Sequence, residues 1–153
     1  MSPKRYIDPT THAGFQRLFG HEHSREIVKA FLEAVLELPK PINTLDYLPP
    51  HPVPAGVDEK SGIFEIACQD DDGQRFVLEL HSVWQPHFRD RAILRAASPL
   101  SEQFHPDNTR YPRTPKPLSI ISLLTYPIDD RPKYRHRFKF CDSESGSVFF
   151  NDF

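Results

Sequence analysis

A chain of 153 residues is long enough to bury a sizeable core and fits a single domain. With 38% apolar residues and 16 prolines, that core is expected to be small and its connections long and proline-bearing. A net charge of −2 excludes a uniformly basic nucleic-acid binder, two cysteines exclude a disulfide framework, and no apolar run reaches membrane-spanning length. The opening Met1-Ser-Pro-Lys-Arg5 has no apolar signal core, so the expected location is cytoplasmic. Charge is uneven: residues 56–85 carry seven acids and two bases, whereas residues 110–153 carry eight bases and five acids. An acidic face beside a basic one suits phosphate chemistry, although unevenness of this size also arises by chance.

In chain order, residues 6–20 form a lead-in segment with Phe15, Leu18 and Phe19 at helical spacing and Gly20 as a stop. His21 and His23 make a His-x-His pair, which binds metal only when further ligands lie nearby. Ser24 is the predicted N-cap of the next helix. Ile27, Val28, Phe31, Leu32, Val35 and Leu36 give that helix one apolar face, suited to packing on a sheet. Pro39 and Pro41 end it, residues 42–47 read as a short strand, and residues 49–62 as a loop.

Residues 63–69 and 75–81 alternate apolar and polar positions around an acidic, glycine-containing turn, which is a hairpin signature. A loop of Asp71-Asp72-Gly73 puts Gly73 in the left-handed position. Pairing then centres on Asp72, with Gln69 opposite Arg75 and Glu65 opposite Glu79. The period of two places Glu65, Glu79 and His81 on one face. Cys68 faces the core as a free buried thiol. Two like charges directly opposite each other destabilise a strand pair. A divalent cation, a shared proton or an open, watery face would each relieve the repulsion.

Trp84-Gln85-Pro86 breaks the second strand. Residues 87–103 look helical, with Phe88, Ala92, Leu94, Ala97, Leu100 and Phe104 partly periodic and Pro99 expected to kink or split the helix. Arg89, Arg91 and Arg95 read as a solvated face, phosphate contact being the sharper alternative. After a proline-rich connection over residues 105–117, residues 118–126 form an apolar run expected as a central strand. Residues 129–132 are a turn. Residues 134–140 alternate Arg135, Arg137 and Lys139 with Tyr134, His136, Phe138 and Phe140, an expected edge strand with a basic outer face that could contact nucleic acid. A turn over residues 142–146 and a last short strand over residues 147–150 follow, and no internal repeat is present.

The ordered set Phe15-Gln-Arg-Leu-Phe-Gly20, the amphipathic helix, Ile63-Phe-Glu-Ile66, the acidic Gly turn, Phe76-Val-Leu-Glu-Leu-His81, Phe88-Arg-Asp-Arg91, Gln103, the strand over 118–126 and the closing basic and aromatic stretch resembles the PD-(D/E)XK nuclease family of transposases, also described as recombination-promoting nucleases. The resemblance covers most of the chain, and its specificity lies in the order of the pieces. It implies an α/β fold with a restriction-endonuclease-like core: a mixed sheet with a central β-hairpin flanked by helices, in one domain over residues 1–153. It also implies magnesium-dependent endonuclease action on DNA, with manganese as a substitute ion. Carried over by position, Glu65, Glu79 and the carbonyl of Leu80 would hold the metal, and His81 would place the attacking water, making Glu65, Glu79 and His81 the catalytic set.

The sequence departs from the family pattern at two of these positions. Glu65 stands where Asp is usual, which moves the carboxylate by a methylene, and magnesium demands strict geometry. His81 stands where Gln or Lys is usual; a neutral His still orients water and makes activity pH-sensitive. The chain stops at Phe153, where members continue into a further, mostly helical region, so a short copy is expected. Glu22 is a weak candidate for an auxiliary acid. Three functions follow: a metal-dependent DNA endonuclease, a catalytically inactive relative that binds nucleic acid or protein, or an unrelated α/β protein. The expected partner is DNA, with no membrane, and a homodimer is a compatible assembly.

Overall fold

The computed structural model describes residues 6–49, 63–104 and 115–148. The lead-in helix α1 spans His12–Phe19. Thr11 caps it by accepting a hydrogen bond from the Gly14 N–H, and Gly20 stops it by donating back to the Gln16 carbonyl. After one 3-10 turn, α2 runs over Arg25–Leu36. Ser24 precedes it but makes no side-chain cap; its buried hydroxyl donates to the Arg17 carbonyl at 3.3 Å and so ties α2 to α1. The helix ends before Pro39 and Pro41, on Glu37 in the left-handed region (φ 56°). Arg135 holds this end by donating to the Val35 carbonyl and to the Glu37 carboxylate.

Four strands follow: β1 (Leu45–Leu48), β2 (Ile63–Asp70), β3 (Arg75–His81) and β4 (Leu118–Leu124). They form one mixed sheet in the order β1-β2-β3-β4, with β1 and β3 antiparallel to β2, and β4 parallel to β3. A parallel neighbour needs a crossover, and the chain between β3 and β4 contains the helix α3 (Phe88–Ser101). The expected α/β class and the central hairpin therefore hold. The apolar run over residues 118–126 does form a strand, but at the end of the described sheet and not at its centre.

One face of the sheet carries the core. Phe15, Phe19, Val28 and Leu32 of the first two helices pack with Leu45, Ile66, Cys68, Phe76, Leu78, Leu80 and Ile121. Each such side chain contributes about 1.5–3 kcal/mol on burial. Cys68 lies in this layer as expected, and burial, with Asp70 nearby, pushes its thiol up to about 12. Tyr47 of β1 fastens the layer to α1: its hydroxyl lies 2.7 Å from the Phe19 carbonyl. The helix α3 covers the opposite face, the one that carries the odd-numbered positions of β2 and β3. It runs through Pro99 unsplit and ends in a 3-10 turn over Glu102–Phe104.

The closing stretch corrects the expectation of a strand. Residues 134–140 form none; beyond β4 the described chain has one isolated bridge, Cys141 to Val148. Alternating aromatics and bases make a strand only when one set finds a surface to cover. Here Tyr134, Phe138 and Phe140 are exposed, while Arg135 and Arg137 reach sideways to Glu37. The turn over residues 142–146 is present, with Gly146 at φ 69° and Asp142 accepting from the Ser145 N–H. All but the first residue of the expected loop over residues 49–62, most of the connection over 105–117 and the end of the last expected strand lie outside the described residues.

Candidate active site

The site is built by the β2–β3 hairpin, and its turn chemistry sets the geometry. Asp70 Oδ1 accepts from the Asp72 N–H at 3.0 Å and from the Gln74 N–H at 2.8 Å, while Gly73 takes φ +82°. This turn fixes the register expected from the sequence: Gln69 faces Arg75 and Glu65 faces Glu79. Glu65, Glu79 and His81 consequently share a face. That face is not open to water, since Glu79 is 1% exposed and His81 2%.

Relief of the carboxylate repulsion comes from a residue that composition and spacing read as solvated. Arg95 of α3 donates through Nη2 to Glu65 Oε2 at 2.7 Å and through Nε to Glu79 Oε1. Its side chain keeps only 12% exposure. Arg95 reaches this position because Phe88, Ala92, Arg95 and Pro99 recur at i, i+4, i+7 and i+11, which is one stripe of a helix. The stripe faces the sheet: Pro99 is buried, and Phe88 meets His81 edge-on with ring centroids 5.3 Å apart. The other two arginines differ. Arg91 donates to Gln85 Oε1 at 2.6 Å, and Arg89 stays exposed, 3.9 Å from Asp129.

The second oxygen of Glu79 is also engaged. Oε2 lies 2.9 Å from His81 Nε2 and accepts from the Ser122 hydroxyl at 3.1 Å. Ser122 belongs to the site because β4 is parallel to β3 in a register that sets it beside Glu79. Burial pushes the Glu79 carboxyl up, but the His81 hydrogen bond and the Arg95 charge outweigh it and hold the group below the ordinary carboxylate range. Glu79 is therefore ionised, which removes a shared proton as the relief of repulsion. The ionised Glu79 accepts a hydrogen bond from His81 Nε2–H, which turns the other ring nitrogen, Nδ1, away from the acid. That atom is buried and has no hydrogen-bond partner among the described residues.

The structure thus brings Glu65, Glu79 and His81 together and adds Arg95 and Ser122, which the sequence reading missed. Ser122 had a faint signal, as a polar position inside an apolar strand. Arg95 had a better one in the stripe it shares with Phe88 and Pro99. Leu80 points its side chain into the opposite, core layer. Glu22 pairs with Arg25 at 2.5 Å, and His21 stacks on His23 with centroids 5.1 Å apart. Neither joins the site by any contact described.

A divalent ion needs several convergent oxygens. The donor types of Glu65 and Glu79 suit magnesium or manganese, but the arrangement does not. Both oxygens of Glu79 and Oε2 of Glu65 already hold protein donors. Among the described residues, no group of three or more His, Cys, Asp and Glu side chains is set to hold a metal ion. The site carries an arginine where the family implies a metal.

Comparison with known proteins bears on the whole chain. A family model described as PD-(D/E)XK nuclease family transposase matches residues 9–153. No curated protein and no solved structure matches. The mixed four-strand sheet flanked by three helices accords with the restriction-endonuclease-like core of that family. Among the described residues no helix is long and apolar enough to cross a membrane. With a match of this extent and a fold that agrees, the chain belongs to the PD-(D/E)XK nuclease family of transposases.

Proposed function

We propose that this chain is a DNA endonuclease of the transposase-associated type, with Glu65 and Glu79 as its catalytic acids and His81 as the group that orients water. The observation that carries this reading is the pairing of Glu65 with Glu79 across β2 and β3, on a buried face within a nuclease-family domain. Glu79 accepts from His81 Nε2–H and so fixes the orientation of the ring, which supports a positioning role for His81 in this reading. The proposed cofactor is magnesium, with manganese as a substitute, and the Leu80 carbonyl is its proposed backbone ligand. With Arg95 in place, both acids of that set already carry a cation.

Nicking of supercoiled plasmid in magnesium or manganese tests the reading, with Glu79→Gln alongside. Cleavage by the native chain that disappears in the variant supports it. A second reading has its own observation: an arginine that already neutralises the two acids suits a relative that binds DNA without cutting it. Retention of labelled duplex by both proteins, with no nicking by either, selects the second reading.

A further inference from the structure

We infer that Arg95 is the internal cation of this site and that a divalent ion binds only after α3 withdraws it from Glu65 and Glu79. The inference rests on those acids being the family's metal-binding pair, but it concerns occupancy of the site and not turnover. Three observations carry it.

The first is chemical completeness. A planar guanidinium spans two carboxylates with two donors, Nη2 to Glu65 and Nε to Glu79, and satisfies one oxygen of each. The other oxygen of Glu79 is satisfied by His81 and Ser122. An ion approaching Glu79 therefore meets an Oε2 that already has two partners and an Oε1 that it would have to share with the guanidinium. Displacing Arg95 releases one oxygen of each acid at once; displacing Ser122 and His81 releases an oxygen of Glu79 alone.

The second is burial. The three side chains keep 14%, 2% and 12% exposure for Glu65, Glu79 and Arg95. A cation and an arginine cannot both occupy so small a space without strong like-charge repulsion. Occupancy is therefore a competition between the two.

The third is how α3 is built around Arg95. In an α-helix the carbonyl of residue 95 would accept from the N–H of residue 99, but residue 99 is proline and has none. The turn that carries the arginine lacks one helical bond. The outer side of the same turn leaves Ile93 and Leu94 more than half exposed, so they anchor it only weakly. Withdrawal of Arg95 thus requires a local change in a weakened turn, and the sheet can remain as it is.

The test reads manganese binding to the full chain, without DNA, so its failure is separate from a failure of plasmid nicking. Free manganese is followed by its paramagnetic resonance signal for the native chain, Arg95→Gln and Arg95→Gln combined with Glu79→Gln. The expected result is a dissociation constant at least tenfold lower for Arg95→Gln than for the native chain, with the gain abolished in the double variant. Equal affinity in the native chain and Arg95→Gln, or no binding by either, overturns the inference. If Arg95→Gln does not fold, Arg95→Lys decides. A lysine keeps the charge but cannot span both acids, so a severalfold gain in manganese affinity is expected, and an unchanged constant overturns the inference. The melting temperature adds a second readout. Manganese should raise it for Arg95→Gln and leave the native value nearly unchanged, and equal shifts in the two count against competition.

Discussion

Removing the charge of Arg95 while keeping its bulk, as in Arg95→Met, should strongly destabilise the fold. Glu65, Glu79 and Arg95 are all under one-sixth exposed, so solvent screens their attraction little. Breaking a buried ion pair by deleting one partner costs about 3–5 kcal/mol, because the surviving charge stays buried. Here two carboxylates would survive, facing each other across the strand pair. For a chain of this size that loss lowers the melting temperature by roughly 6–20 °C. The loss should also depend on pH. In the native chain the Glu79 carboxyl is held low, so its contribution is present above the ordinary carboxylate value and is lost as pH falls through the depressed folded one. In the variant, burial still pushes the carboxyl up while the lowering by Arg95 is gone. The variant therefore regains ground as its carboxyl protonates, and the gap from the native chain is widest near pH 7 and narrows towards pH 5. Urea unfolding followed by circular dichroism at the two pH values measures both effects. A gap at pH 7 below about 1 kcal/mol, the range of an exposed pair, would refute the reasoning.

Two further outcomes follow from the same coordinates. Gly73→Ala forces a side chain into a left-handed turn position (φ +82°) and should cost about 1–2 kcal/mol, visible as a lower melting temperature with the sheet spectrum retained; an unchanged melting point would show that the turn relaxes to another form. Cys68 is fully buried, with its thiol pushed up to about 12, whereas Cys141 is exposed. A disulfide reagent at pH 8 should therefore titrate one thiol in the folded chain and two in denaturant, and two fast thiols without denaturant would contradict the core assignment.

The hairpin was legible in the sequence because its signals are local. Asp70, Asp72, Gly73 and Gln74 lie within one turn, and their hydrogen bonds set a register that carries Glu65 opposite Glu79 fourteen residues away. The first two helices were legible for the same reason, through the apolar period of each and the local stops Gly20, Pro39 and Pro41. Arg95 was not, because its partners lie sixteen and thirty positions away and an arginine in an apolar stripe violates the pattern used to find stripes. The strand expected over residues 134–140 failed for a related reason. Its alternation is real, but alternation stabilises a strand only if a ladder partner and a surface are present. The guanidinium of Arg135 found the end of α2. Ser24 shows the same limit at a smaller scale: a residue type suited to capping spends its hydroxyl on the Arg17 carbonyl, because the chain folds back there.

The two functional readings differ in one quantity, the free energy of withdrawing Arg95. A closed state that must open before an ion binds weakens the apparent affinity by the fraction of molecules open. If closure is favoured by about 1.4 kcal/mol, affinity falls tenfold. If it is favoured by about 5.5 kcal/mol, it falls by about 10⁴, and an intrinsic micromolar site would then need about 10 mM ion. The first chain is an enzyme with a restrained site; the second keeps the fold and loses turnover. Buried charge pulls towards the second outcome, since Glu79 is almost wholly enclosed and Arg95 nearly so. Pro99 pulls towards the first, since it removes the helical bond that would otherwise fix the backbone of Arg95. Pro99→Ala restores that N–H, so it should strengthen the clamp. If α3 opens to admit the ion, this change should weaken manganese binding without touching any ligand, whereas a site that fills without movement of α3 would not respond.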